Sequence, residues 1–289
     1  MPQSQFVWSG QYWKAIGYTL SDSAAFTGEK SRHNFEYEVM TLIDACVDMI
    51  LTGNVRPRFH QIEQIVGDLS LQLGGSSAIF AAQMAKLGTR TAVLGWLGAD
   101  TFGDFAVAEL LKTGVDISRL KRHATMKTAV GVALSEPEDR AILTYMGTLE
   151  APNSSDLDPS LLGLFAHWHI GSYFLLPGLQ QHWPEWLRLC RTAGKTTSLD
   201  TNWDPHERWT GIVEILPFID VFLPNEAEAL AISGRINIHD AARSLSQCGP
   251  LVVVKCGEKG AIAARKNELW EFDASKSGIY PAPKLSGLI

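Results

Sequence analysis

The sequence predicts an α/β fold: a mainly parallel central sheet covered by helices on both faces, with a small β lid beside it. Three observations carry the prediction. From Tyr37 to Lys255, short apolar runs of strand length alternate with helix-length segments, the pattern of strands buried between covering helices. Two stretches, 51–73 and 128–145, interrupt that rhythm, and parts of them alternate polar with apolar residues, as strands with one exposed face do. At 289 residues and 46% hydrophobic, the chain can build one substantial core with an appendage.

The elements follow in order. Residues 1–34 are polar and lack sustained periodicity, as in Ser21-Asp22-Ser23 and Thr27-Gly28-Glu29-Lys30-Ser31. They are expected to be a poorly ordered extension to a domain over 35–289. Residues 38–43 read as a buried strand ending at Asp44, and 51–73 is less regular, with Ser70-Leu71-Gln72-Leu73 alternating. An Ala-rich helix over 78–87 stops at Gly88, a residue suited to the left-handed position after a helix end. A strand over 91–94 and a helix over 105–113 come next. Residues 128–134 and 141–145 form a hairpin, turning through Glu136-Pro137-Glu138-Asp139. Regular units then resume: strand 166–170, helix 181–191, strands 196–199 and 221–223, helices 226–232 and 238–247, and strands 251–255 and 260–264. The segments 51–73 and 128–145 are left over from this scheme and suit a lid.

Composition narrows the function. A net charge of −6, with a pI near 5.8, argues against nucleic acid or an anionic membrane surface as partner. No run of eighteen apolar residues exists, so no membrane span is expected. Cys46, Cys190, Cys248 and Cys256 form no Cys-x-x-Cys pair and no Cys/His ligand cluster, as expected of free thiols in a reducing cytosol. The N-terminus has no secretory pattern, and a cytoplasmic enzyme fits all of this.

Candidate site residues cluster where the predicted strands end. Asp44 and Asp48 follow the first strand, at the edge where open α/β sheets bind ligands. Two short carboxylates there can accept sugar hydroxyls, or Asp44 can simply close a turn with Asp48 solvated. Gly74-Gly75, before Ser76-Ser77 and a helix, allows close approach of a ligand to free backbone amides, or is only a turn. It is not the Gly-x-Gly-x-x-Gly dinucleotide pattern, which disfavours a nicotinamide oxidoreductase. Arg140 can reach over the site or lie solvated at the hairpin turn. His167 and His169 share one strand face without a third metal ligand, so packing or hydrogen bonding is expected of them. In Asp200-Thr201-Asn202-Trp203-Asp204-Pro205, Asn202 can donate to a phosphate oxygen, although turn chemistry accounts for it equally well. Asn225-Glu226-Ala227-Glu228 reads on its own as helix initiation. Lys255-Cys256-Gly257-Glu258-Lys259-Gly260 reads on its own as a hairpin turn.

The order and spacing of these segments, over roughly residues 37–285, resemble the ribokinase-like (PfkB) carbohydrate kinases. The run from Gly74-Gly75 through Ala85-Lys86-Leu87-Gly88, Gly95, Gly98-Ala99-Asp100 and Phe102-Gly103 resembles the family's N-terminal signature. It departs at Ile79, where many members carry Asn. The resemblance implies a ribokinase-like three-layer sandwich with a β lid, and transfer of the ATP γ-phosphate to a sugar hydroxymethyl group. It implies that Asp48, Gly74, Gly75 and, less securely, Asp44 bind a sugar or nucleoside. It further implies that Asn202, Asn225, Glu228, Lys255, Gly257 and Gly260 serve phosphate and nucleotide, with Glu228 holding Mg²⁺ through water. A homodimer through the lid is also implied. In the family a Pro-rich strand like Tyr280-Pro281-Ala282-Pro283-Lys284-Leu285 leads into an Asp-Thr-Thr-Gly-Ala-Gly-Asp segment, whose last Asp is the catalytic base. Residues 1–289 contain no such segment, so the resemblance puts the catalytic base beyond Ile289. The expectation is therefore a kinase truncated before its catalytic motif, with no catalytic residue of its own and negligible activity. The alternative is a sugar- or nucleotide-binding pseudokinase or regulatory subunit.

Overall fold

The computed structural model describes residues 5–8, 13–16, 35–137 and 139–274. Within the expected N-terminal extension it describes one short antiparallel pair, β1 (Gln5–Trp8) with β2 (Trp13–Ile16). Two expectations lie outside the described residues. One is the strand at 280–285; the other is the segment end at Ile289, beyond which the resemblance puts the catalytic base. The domain expected over 35–289 is thus described as far as Ala274.

The frame is a nine-stranded sheet. Its strands are β3 (Tyr37–Ile43), β6 (Thr91–Gly98), β7 (Asp116–His123), β10 (Phe165–Ile170), β11 (Thr196–Leu199), β12 (Val221–Phe222), β13 (Leu251–Lys255), β14 (Ala261–Arg265) and β15 (Glu268–Phe272). They lie in the order β15-β14-β13-β12-β11-β10-β3-β6-β7. Pairing is parallel from β13 to β7, and β14 and β15 add an antiparallel edge. The chain grows outward from β3 in one direction, then crosses to β10 and grows outward in the other. The ends of β3 and β10 thus form a topological switch point, where open α/β sheets leave a crevice.

Period-two alternation divides β3 between two cores. Met40 and Leu42 join Trp168, Ile170, Leu199, Phe222, Val252 and Val254 on one face. There α3 (Trp183–Thr192), α4 (Ile212–Ile215), α5 (Glu226–Ser233) and α6 (Ile238–Ser246) cover the sheet. Trp168 and Trp186 are fully buried and meet edge to face at 4.9 Å, an arrangement aromatic rings prefer over a face-to-face stack. Ile43, Val93 and Leu97 face the other way, against Ala78 and Ala81 of α1 (Ser76–Lys86) and Ala106 and Leu110 of α2 (Thr101–Lys112). Small alanines let these helices approach the strands closely. The layers are therefore helix, sheet, helix.

A second, four-stranded sheet forms the lid, in the order β5-β4-β8-β9. Its strands are β4 (Cys46–Thr52), β5 (Asp68–Gly74), β8 (Ala129–Ser135) and β9 (Arg140–Tyr145). The expected lid segments, 51–73 and 128–145, contain most of it, but the first lid strand begins earlier than expected, at Cys46. Only Asp44 and Ala45 separate β3 from β4, too short a gap to announce a second strand in the sequence. β7 and β15 were also not anticipated. β7 reads Asp-Ile-Ser-Arg-Leu-Lys-Arg-His, too charged to be recognised as a sheet strand, which an edge position permits.

Candidate active site

The site is built on the C-terminal ends of the central strands and on the lid that rises from β3. At the switch point, Asp44 is almost wholly buried. Its Oδ2 accepts the Ser76 N–H at 2.8 Å and its Oδ1 the Ser77 N–H at 2.9 Å. The Ser172 hydroxyl, just beyond β10, donates to Oδ2 as well. Burial pushes the Asp44 carboxyl above its usual range, against the pull of these hydrogen bonds. This is the geometry of a structural tie between strand end and helix start. Three donors take most of the acceptor capacity of the Asp44 carboxylate.

Asp48 is placed differently. It lies in the middle of β4, so the lid carries it, and it does not sit on the edge of the central sheet where the sequence put it. Cross-strand pairing sets Gln72, Asp48, Gly131 and Thr144 in one row across the lid. A Cβ on Gly74 would overlap the Asp48 carboxylate, and one on Gly131 would come within 2.6 Å of Oδ1. Glycine at both positions leaves the carboxylate an open approach. The Cys46 thiol donates to Asp48 Oδ1 at 3.4 Å. Burial raises the Asp48 carboxyl, Asp44 raises it further, and Arg140 pulls it down. Arg140 therefore does bear on this site, from the same face of the lid.

On the far side of the switch point lies the edge expected to meet phosphate. Asn202 follows β11 in a left-handed conformation, φ 56°, and its Nδ2 donates to Ser172 Oγ at 2.7 Å. Asn225 and Glu228 form the helix-initiating box of α5: Asn225 Oδ1 accepts the Glu228 N–H at 2.8 Å, and Glu228 Oε2 accepts the Asn225 N–H at 2.9 Å. Glu228 is buried, and desolvation raises its carboxyl. Lys255, at the end of β13, reaches across to Asp200 at the end of β11, Nζ to Oδ2 2.6 Å. The other oxygen, Asp200 Oδ1, is buried with no hydrogen-bond partner among the described residues. In the following turn, Gly257 has φ +56° and faces open space, whereas a Cβ on Gly260 would overlap the Phe272 carbonyl oxygen. Packing of β15 alone thus explains Gly260, while Gly257 remains open to a ligand.

Among the described residues no group of three His, Cys, Asp or Glu is placed to hold a metal ion. The donors present, Glu228 beside Asp200 with its unpartnered oxygen, suit a Mg²⁺ that arrives with nucleotide phosphates and keeps most of its water. His167 Nε2 and His169 Nδ1 lie 2.7 and 2.8 Å from Ser198 Oγ, and His169 stacks on Phe80 with ring centroids 3.8 Å apart. They are hydrogen-bonding and packing residues, as the sequence suggested. Sequence reasoning missed Ser172, Gly131 and the Asp200–Lys255 pair. Ser172 was within reach, because it follows a predicted strand at the same edge as Asp44. Gly131 was not, because only strand pairing brings it to Asp48.

A doubly covered, mostly parallel sheet with a four-stranded lid hinged at its switch point defines the ribokinase-like class of α/β folds. The pfkB family carbohydrate kinase model matches residues 40–278, and the chain belongs to that family. A fructokinase of Klebsiella pneumoniae is 26% identical over 248 residues, spanning 82% of this chain and 76% of that protein. The structure of Arabidopsis thaliana ribokinase complexed with ribose and ATP superposes with a TM-score of 0.69 at 20% identity, covering 82% of this chain and 78% of that one. A structure from E. coli in complex with ATP and Mg²⁺ superposes at 0.70 and 22% identity, with the same coverage. At such identities the superpositions speak for the fold.

Proposed function

We propose that the chain binds a sugar against Asp48 and the Gly74-Gly75 turn, and Mg·ATP along the edge of Asn202, Asn225, Glu228, Lys255 and Gly257. These are the two halves of an ATP-dependent sugar kinase cleft, in a cytoplasmic protein. The observation that carries the reading is the Asp48 carboxylate. It is half-buried, opened by glycines at 74 and 131, and in no ion pair among the described residues, as a receptor for sugar hydroxyls requires. Phosphoryl transfer is mostly positioning and charge neutralisation. Lys255 and the α5 N-terminus would meet phosphate charge, and closure of the lid would exclude the water that competes as acceptor.

Transfer also needs a group to take the hydroxyl proton. Asp44 accepts three hydrogen bonds, Asp200 is paired with Lys255, and Asp204 accepts the backbone N–H groups of His206, Arg208 and Trp209. The resemblance puts that group outside residues 1–289, so this stretch by itself is expected to bind without appreciable turnover. Calorimetry with D-fructose and with Mg·AMP-PNP, beside an ADP-release assay, tests both statements. Binding of D-fructose that disappears in Asp48→Ala, with little ADP released, is the expected result. Failure of a folded wild-type chain to bind any of a panel of neutral sugars would overturn the reading. Turnover like that of intact kinases would overturn the expected inactivity.

A further inference from the structure

We infer that Asp44 and Ser172 are positioning residues, which tie the lid hinge to the Asn202 loop so that the two halves of the cleft are set together. The ligand consequences rest on the proposed function; the tie itself does not. Asp44 is the first of the two residues joining β3 to β4. The antiparallel partner of β4 in the lid, β5, returns to the body through Gly75, which has φ +97°. A Cβ there would overlap the Asp44 carbonyl oxygen. The Asp44 carboxylate then takes the first two amides of α1, at Ser76 and Ser77. Two of the four connections between lid and body, those flanking the β4–β5 pair, are thereby held by one residue.

The same carboxylate accepts the Ser172 hydroxyl. A hydroxyl has one proton to give, so the contact from Asn202 Nδ2 at 2.7 Å must be a donation into Ser172 Oγ. The direction of the chain is thus fixed: Asn202 to Ser172 to Asp44. Ser172 is fully buried and held left-handed at φ 51°, ψ 42°, and Asn202 is left-handed too. Such conformations persist in non-glycine residues where surrounding contacts over-determine them. Gly171 seats this loop on α1, because a Cβ there would lie 2.5 Å from Ser77 Oγ. A shift of the hinge that moves Asp44 must move or release Ser172, and with it the Asn202 amide on the phosphate side.

Ser172→Gly isolates the hydroxyl, since glycine accepts φ 51° without strain and the fold is retained. The first readout is hydrogen exchange on the unliganded chain. The variant should exchange about tenfold faster both at Ser76 and Ser77 and at residues 201–203, two regions that share no other hydrogen bond to this loop. Acceleration confined to 171–175, or none, overturns the proposal whatever the chain binds. The second readout is the coupling between ligands. D-fructose should tighten Mg·AMP-PNP by about fivefold or more in the wild type. In Ser172→Gly that coupling should vanish, while the affinity for D-fructose alone stays within about twofold of the wild type. Coupling retained in the variant overturns the proposal. A wild type that binds neither probe condemns the functional reading instead, and leaves the tie to be judged by exchange. Asn202→Ala should abolish the coupling while leaving Ser76 and Ser77 protected.

Discussion

Gly257 and Gly260 occupy one short turn, yet different forces hold them there. Gly260 has φ +101° and no room for a side chain against Phe272, whereas Gly257 has φ +56° and open space. Gly260→Ala should cost about 2–4 kcal/mol, from left-handed strain plus overlap. Gly257→Ala should cost only about 1 kcal/mol, from strain alone. Urea unfolding of the two variants would separate them, and equal losses would mean that packing against β15 is not what selects Gly260. His169 makes a pH prediction. Burial holds it neutral, with its pKa lowered to about 3. An unfolded histidine titrates near ~6.5, so the unfolded chain takes up a proton first as pH falls. Its contribution is complete above that value and is lost on acidification, at up to about 1.4 kcal/mol per pH unit. Stability measured at pH 7 and pH 5 should show this loss, and His169→Gln should reduce it.

The lid strands show how one element can serve two surfaces. The row Gln72, Asp48, Gly131 and Thr144 is polar or small, while the adjacent row Leu71, Met49, Val132 and Leu143 is wholly apolar. Because side chains alternate along strands, these rows face opposite ways. Gly131→Val tests the polar face. Valine suits a strand, so folding should persist, but its side chain would displace Asp48. D-fructose affinity should fall by about tenfold or more with the thermal midpoint little changed. Retained affinity would argue that the sugar does not approach Asp48 from this face.

At the scale of the whole molecule, the apolar face of the lid is a demand for a cover. Leu71 and Leu143 are exposed there at 40% and 61%, with Leu69 and Tyr145 beside them, a contiguous patch of a kind that monomers seldom leave uncovered. We propose that a second copy covers it, lid to lid, as an isologous pair requires a self-complementary surface. Light scattering should report a dimer for the wild type and a monomer for Leu143→Asp. A wild-type monomer at micromolar concentration would refute the pairing. No described helix is long and apolar enough to cross a membrane.

Much of this was legible in the sequence because local physics writes it there. Apolar runs gave β10, β11 and β13 to within a residue, and the Asn225–Glu228 box announced α5 because capping depends on neighbours in the chain. Of the residues singled out for a site, Gly74 lies against Asp48 and Gly75 against Asp44. Long-range packing accounts for the rest. The end of β3 before Asp44 was legible, but nothing local marks Cys46 as the start of a lid strand, and so nothing local lifts Asp48 from the sheet edge into the lid. Nor does spacing reveal that Asp44 spends its lone pairs on Ser76, Ser77 and Ser172, some thirty to 128 positions away. Which segments become strands and helices was settled along the chain, because propensity and periodicity act over a few residues. The partner of each carboxylate depended on strand order, which is selected only when the whole sheet packs.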